Sequence, residues 1–381
     1  MLPETPFYYY DIQLLKATLD AIAHEIEQYP NYHVHYALKA NANARLLEII
    51  QQAGVGADCV SGGEVQRAID AGFSAYKIVY AGVGKSDREI LLALQHDIFC
   101  FNVESVPELH IINELAGKIG KTARVCLRIN PDVEAHTHTH IITGMAENKF
   151  GIALSDMMHV VEMAKELKHI SFVGLHFHIG SQITNMHDYV ALCQRINEIQ
   201  YQLNKHDIYP TVINVGGGLG IDYQDPDRNP IANFKAYFKV FTQHLHLRPE
   251  QSLHFELGRS IVAQCGSLIT RVLYVKQASV KQFAIVDAGM TELIRPALYG
   301  AKHKIVNLTS QAQQMEKYDV VGPICESSDV FDKELMLPTT QRGDLLAIRS
   351  AGAYGEAMAS TYNCRQLPLS YTNDELDLVL D

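Results

Sequence analysis

The chain has 381 residues, is 47% hydrophobic and 20% charged, and carries a formal net charge of −11 at pH 7. This reads as a soluble globular protein of roughly two or three domains, and the lack of any basic block or stripe excludes nucleic acid as a partner. No apolar run reaches the ~18 residues of a membrane span and no basic-then-apolar leader opens the chain; seven cysteines without a C-x-x-C pair fit a reducing, cytoplasmic setting.

In chain order, the N-terminal T-P-F-Y-Y-Y predicts a strand, with Asp11 placed to cap the helix that follows. Between residues 33 and 258, β-rich apolar runs alternate with amphipathic stretches, the pattern of repeated βα units around a parallel sheet. Strands are predicted at 33–39, 56–60, 77–81, 98–103, 124–130, 172–180, 212–217 and 252–257, with helices such as 43–53 and 229–245 between them. Eight strands with seven intervening helical patterns predict a closed (β/α)8 TIM barrel. Residues 131–152, rich in His, Thr and Gly, interrupt the rhythm after the fifth strand and are expected to form a lid or binding loop. Beyond Arg259 come strand-like runs without long helices, at 267–276, 282–288, 315–321 and 344–350. The expectation is a barrel over 11–260 and a mainly-β domain over 261–381, to which the strand within residues 1–10 adds itself.

Reactive groups of such barrels sit at the C-terminal ends of the strands, and these ends are rich in chemistry. The first carries Lys39, the only basic group in the apolar run A-L-K-A, and an amine there is a ready nucleophile toward an aldehyde. The sixth ends H-F-H-I-G-S at 176–181, the seventh runs into Gly216, Gly217, Gly218 and Gly220, and the eighth ends with Glu256, Gly258 and Arg259. Glycines after the seventh strand stand where barrels hold a phosphate on backbone N–H groups, although a tight turn alone would use them too. Glu256 with Arg259 reads as a salt bridge, or as a carboxylate for a protonated ring nitrogen and a cation for an anion. His178 reads as a core histidine or as a flat ring stacked on a cofactor. An aldehyde-seeking amine, a phosphate cradle and a carboxylate for a pyridinium nitrogen together describe a pyridoxal phosphate site.

Nine stretches carry a family likeness across nearly the whole chain. They are H-Y-A-L-K-A-N (35–41), D-C-V-S-G-G-E (58–64), E-N-K-F-G-I (147–152), H-F-H-I-G-S-Q (176–182), G-G-G-L-G-I (216–221), E-L-G-R (256–259), R-P-A-L-Y (295–299), G-P-I-C-E-S-S-D (322–329) and A-G-A-Y-G (351–355). With them the chain resembles the pyridoxal-phosphate-dependent basic amino-acid decarboxylases built on an alanine-racemase-like barrel. The resemblance implies that Lys39 bonds to the cofactor aldehyde, that His178 stacks on its ring and that Glu256 pairs with its ring nitrogen. It implies that Ser181, Gly216, Gly217 and Gly218 hold the phosphate, with Gly258, Arg259 and Tyr354 completing the cofactor site. Arg259, Arg295, Tyr299, Glu326 and Tyr354 would bind the substrate's carboxylate and amine groups. Cys325 would be the proton donor, although a cysteine is more often a plain buried residue, and in the family Cys325 and Glu326 serve the other subunit of a homodimer. The family's E-P-G-R reads E-L-G-R here, with Leu257 expected to loosen the turn.

By the same resemblance the reaction is decarboxylation of meso-2,6-diaminopimelate to L-lysine, since Arg295 suits a second amino-acid head. Ornithine, arginine and carboxynorspermidine are the alternative substrates. A racemase would avoid the electron sink that Glu256 creates, and a non-catalytic homologue would not need Lys39 and Cys325. His136, His138 and His140 alternate as metal ligands could, but no second shell accompanies them and no metal is expected.

Overall fold

The computed structural model describes residues 2–133, 149–378 and 380. The chain divides into two units, one of residues 19–220 and 233–258, the other of residues 1–18, 221–232 and 259–381.

The first unit is a closed barrel of eight parallel strands: Tyr32–Ala37, Gly56–Cys59, Ile78–Tyr80, Cys100–Val103, Ala123–Arg128, Ile170–His176, Val212–Asn214 and Ser252–Leu257. The first and last strands close it in parallel register, with His33 beside His254 and His35 beside Glu256. Its helices start where the sequence places caps. A Ser-x-x-Glu pattern recurs at 61–64, 86–89 and 105–108, and Ser61 and Ser105 accept the N–H of Glu64 and Glu108, while Ser86 and Glu89 form a full capping box. Asn43 caps Ala44–Gln52. The helix expected from residue 229 begins only at Phe234, because Asn233 caps it and Pro230 precedes it.

Several predicted strands stop short. The first ends at Ala37 because Leu38–Ala40 curls into a single 3-10 turn, so Lys39 stands on that turn and not in the strand. The seventh ends at Asn214, two residues before Gly216 turns the backbone to φ +68°. The residues 134–148, which include most of the expected lid and His136, His138 and His140, lie outside the described residues.

Outside the last strand an aromatic cluster locks the helix Phe234–His244 onto the sheet. Phe255 meets Tyr237, Phe238 and Phe241 at ring-centroid distances of 5.7, 5.0 and 5.1 Å, all edge-on, and each such pair adds about 0.5–1.5 kcal/mol beyond area burial. Inside the barrel, toward the strands' N-terminal ends, runs a chain of neutral imidazoles. The Lys77 carbonyl can only accept, so His35 donates to it from Nδ1 (3.0 Å) and accepts on Nε2 the Nδ1–H of His254 (2.8 Å). His254 Nε2 then accepts the Ser252 hydroxyl at 2.9 Å. Burial lowers the pKa of His35 to about 4 and that of His254 well below its ordinary value.

The second unit is an eight-stranded sheet. Its central path runs Ile305–Asn307, Leu345–Ile348, Gly266–Gln277, Gln282–Val286, Met315–Val321, Val330–Pro338. The N-terminal strand Phe7–Tyr10 pairs antiparallel with Gly266–Gln277 and parallel with Leu369–Thr372. Asp11 Oδ1 accepts the Leu14 N–H at 3.0 Å, the cap that the sequence announced.

Candidate active site

Within the barrel, Glu256 is the hub. It comes from the eighth strand, is buried, and accepts Asn102 Nδ2 (2.9 Å) and Asn214 Nδ2 (2.7 Å) on Oε1 and His176 Nε2 (3.0 Å) on Oε2. Burial alone would raise its pKa. The charge and hydrogen bond of His176, with Lys39 nearby, outweigh burial and hold the carboxyl well below the usual range. A carboxylate with this many donors stays ionised, which is the state that a protonated ring nitrogen requires.

Lys39 projects from its 3-10 turn toward the second strand, where Nζ lies 3.2 Å from Asp58 Oδ2. Asp58 is fully buried. Burial and the neighbouring Glu256 raise its pKa to about 7 although Lys39 pulls it down, and its Oδ1 has no hydrogen-bond partner among the described residues. Lys39 therefore shares its surroundings with an acceptor that titrates near neutrality. Gly258 packs under the same turn: a Cβ there would stand 3.0 Å from the Cβ atoms of both Ala37 and Ala40. Leu257, in place of the family's proline, is the last residue of the eighth strand and pairs with Tyr36.

His178 follows the sixth strand. Its pKa is lowered well below the ordinary value by burial and by the charges of Arg128 and Lys39, so the ring is neutral. Nδ1 accepts the Gly217 N–H at 3.3 Å, which leaves the ring proton on Nε2. The glycines after the seventh strand are required by packing as well as by any ligand. A Cβ on Gly217 would lie 1.8 Å from the Glu256 carbonyl oxygen, and Gly216 combines φ +68° with a Cβ position 2.4 Å from the Phe177 carbonyl. Ser181 lies in the loop between the sixth strand and its helix.

The second unit holds a cationic cluster. Arg259 and Arg295 are both buried. Arg259 Nη1 donates to the Tyr223 hydroxyl at 2.7 Å, and its guanidinium lies 4.9 Å from the Tyr354 ring centroid. Arg295 opens the short helix Arg295–Tyr299, lies 4.7 Å from the Tyr223 ring centroid and donates to His303 Nε2 at 2.7 Å. Cys325 and Glu326 lie in an exposed loop, where the Cys325 N–H meets Asn363 Oδ1 (3.4 Å) and Glu326 Oε1 accepts the Tyr362 hydroxyl (2.7 Å).

The sequence reading passed over Asp58, Asn102, His176 and Asn214 in the barrel, and Tyr223 and His303 in the second unit. The barrel four share a signal that could have found them: each is a polar residue at or next to the C-terminal end of a largely apolar strand, on the inward-facing set. Tyr223 and His303 carry no such periodic mark.

The family described as "Pyridoxal-dependent decarboxylase, pyridoxal binding domain" matches residues 15–263. The chain belongs to the pyridoxal-dependent decarboxylases. It is 62% identical over 373 residues to the diaminopimelate decarboxylase of Bacteroides thetaiotaomicron, covering 98% of this chain and 96% of that one. To the diaminopimelate decarboxylase of Aquifex aeolicus it is 40% identical over 361 residues, covering 95% and 84%. Among solved structures, Helicobacter pylori diaminopimelate decarboxylase complexed with L-lysine matches with a TM-score of 0.91 and 40% identity, over 97% of this chain and 92% of that one. A Vibrio vulnificus lysine/ornithine decarboxylase complexed with putrescine shares the fold, with a TM-score of 0.83 at 22% identity.

The residues of the barrel fit the family's cofactor, pyridoxal 5'-phosphate. Lys39 could supply the amine and Glu256 the ionised carboxylate, and the unmatched buried Oδ1 of Asp58 and Nδ1 of His176 are polar atoms of the kind that line a ligand cavity. Among the described residues no group of three or more His, Cys, Asp or Glu could hold a metal ion, and no helix is long and apolar enough to cross a membrane.

Proposed function

We propose that this protein is a carboxy-lyase that uses pyridoxal 5'-phosphate to decarboxylate meso-2,6-diaminopimelate to L-lysine and carbon dioxide, the closing step of lysine biosynthesis. The observation that carries this reading is Glu256, held ionised by three side-chain donors at the end of the eighth strand. The cofactor, when bound, supplies an electron sink for the pair left by the departing carboxylate, and a protonated ring nitrogen makes that sink strong. A racemase gains nothing from such a carboxylate.

The chain's own residues divide the remaining work. Lys39 Nζ must shed a proton before it can attack an aldehyde, and Asp58 Oδ2, 3.2 Å away with a pKa near 7, is the group that takes it. The neutral ring of His178 would offer the cofactor a flat face without competing for its charge. Ser181 and the amides of Gly216, Gly217 and Gly218, with Gly258, Arg259 and Tyr354, would hold the cofactor. Arg295, with Tyr299 and Glu326, receives the far amino-acid head of the substrate, whose carboxylate ornithine would lack. The Cys325 thiol returns a proton to the substrate carbon after carbon dioxide leaves. Cys325 and Glu326 are exposed in the single chain, which supports a homodimer in which each chain lends them to its partner. A cytoplasmic location belongs to the same proposal, supported by seven cysteines without a C-x-x-C pair.

The test is carbon dioxide release from meso-diaminopimelate, ornithine, arginine and carboxynorspermidine measured side by side with the cofactor-loaded enzyme. The expected result is turnover of meso-diaminopimelate well above the other three. Preference for any of the others would replace the substrate assignment.

A further inference from the structure

Arg295 is an anomaly for a buried cation. Its side chain is 5% exposed, and removing a guanidinium from water normally calls for a carboxylate beside it. Here the hydrogen-bonding partner at 2.7 Å is an imidazole nitrogen, His303 Nε2. The tautomer of that ring is fixed by its other side. Nδ1 lies 2.9 Å from the Arg349 carbonyl oxygen, which can only accept, so the proton sits on Nδ1 and Nε2 offers a bare lone pair. Burial, then the Arg295 charge, lowers the pKa of His303 to about 3, so the ring stays neutral wherever the protein is folded and active.

The Arg349 end is itself anchored. Its guanidinium pairs with Asp227 (3.0 Å) and donates to the Leu380 carbonyl (2.9 Å), while Lys304 shares Asp227 at 2.6 Å. Tyr223 packs edge-on against His303 with ring centroids 5.0 Å apart and lies under Arg295. Arg295 is thus aimed by a neutral acceptor and an aromatic face. A carboxylate in the place of His303 would orient the guanidinium equally well but would cancel its charge. An imidazole locked in this tautomer orients it and leaves the charge available to an incoming anion.

We propose that His303 is the positioning residue that makes Arg295 a carboxylate receptor, and that the His303–Arg295 pair sets the preference for ligands whose far end carries a carboxylate. This rests on the assignment of Arg295 to the substrate's far head. L-Lysine carries that carboxylate and cadaverine, otherwise the same diamine chain, does not, so the two separate the carboxylate contact from everything else.

The experiment measures the affinities of L-lysine and cadaverine by calorimetry for the cofactor-loaded wild type, Arg295→Leu, His303→Leu and His303→Gln. The glutamine Oε1 can accept from Arg295 as Nε2 does, whereas leucine cannot. His303→Leu is expected to weaken L-lysine roughly tenfold, the scale of one charge-assisted hydrogen bond, and to leave cadaverine within about twofold, with His303→Gln recovering most of the loss. Equal weakening of both ligands, or no change in L-lysine, overturns the role of His303. If Arg295→Leu also leaves L-lysine unchanged, the substrate assignment itself has failed; if Arg295→Leu loses L-lysine and His303→Leu does not, only the positioning role has. Nitrogen-15 NMR of the wild-type imidazoles supplies a measurement independent of variant folding. His303 is expected as the Nδ1–H tautomer, silent from pH 8 down to about 4; an Nε2–H tautomer contradicts the proposal.

Discussion

Lys39 and Asp58 show how much a single residue's chemistry depends on its neighbour. An amine at a strand end admits several chemistries, including a simple salt bridge. The geometry narrows this, because Asp58 is buried, lies 3.2 Å from Nζ and titrates at about 7. If Asp58 takes the Lys39 proton, it does so only when ionised, so the rate at which the apo-protein takes up pyridoxal 5'-phosphate should rise as pH increases through about 7. Asp58→Asn should slow that uptake by roughly 10²-fold or more, the range of a lost general base, and remove the step at pH 7; the cofactor's absorbance band reports both. An unchanged rate and pH profile would assign Asp58 to structure alone. The sequence displayed Lys39 openly, as the lone base of A-L-K-A, and displayed Asp58 inside D-C-V-S-G-G-E without marking its role. What it could not display is which strand ends meet. Asn102, His176 and Asn214 reach Glu256 from residues 42 to 154 positions away in the chain, and only the closed barrel brings them to one carboxylate.

At the scale of elements, the barrel was legible because apolar strands and capped helices alternate, and the Ser-x-x-Glu caps fix where helices begin. Strand ends were less legible. Leu38–Ala40 and the backbone at Gly216 turn away for reasons of local conformation that a hydrophobic run does not reveal. Ile305–Asn307, Val330–Pro338 and Leu369–Thr372 are short, or mixed with charge as in V-F-D-K-E-L-M-L-P, and gave no alternating signal strong enough to read.

The imidazole chain inside the barrel has a consequence for acid stability. The folded pKa of His35 is about 4 and that of His254 is also depressed, whereas an unfolded histidine titrates near 6.5. Below 6.5 the unfolded chain therefore binds protons that the folded barrel refuses, so stability is full above pH 6.5 and falls as pH drops toward 4. Each such group contributes up to ~1.4 kcal/mol per pH unit. Urea unfolding at pH 7, 6 and 5 should show this decline, and His254→Phe, which removes one titrating ring, should flatten it. A decline of the same slope in His254→Phe would point to other groups. The buried pair of Arg128 with Glu104, at 2.8 and 3.1 Å, joins the fourth and fifth strand ends, and Glu104 also accepts the amides of Gly82 and Gly151. Glu104→Ala leaves an uncompensated buried guanidinium and should cost about 3–5 kcal/mol in the same assay; a loss under ~1 kcal/mol, the value of an exposed pair, would contradict that reading.

At the scale of the molecule, the proposed reading assigns the chemistry to residues of both units and of two chains. Lys39 and Glu256 belong to the barrel unit and Cys325 and Glu326 to an exposed loop of the other. If Cys325 serves the partner's site, Lys39→Ala and Cys325→Ala should each be inactive alone or nearly so. Mixed after exchange of subunits, they should recover about a quarter of wild-type activity, because one of the two sites in each mixed dimer is then intact. No recovery, with exchange demonstrated, would place the thiol's work within its own chain. In the sequence this partnership is legible only through the family resemblance, since exposure of Cys325 is a property of the folded chain.

The most direct test of the central claim is the conversion of carboxyl-labelled meso-diaminopimelate by the cofactor-loaded protein, followed for both products. The account expects one carbon dioxide released per L-lysine formed by the wild type and none by Lys39→Ala. Turnover by Lys39→Ala at the wild-type rate, or a wild type that loads the cofactor and releases no carbon dioxide from this substrate, would contradict it.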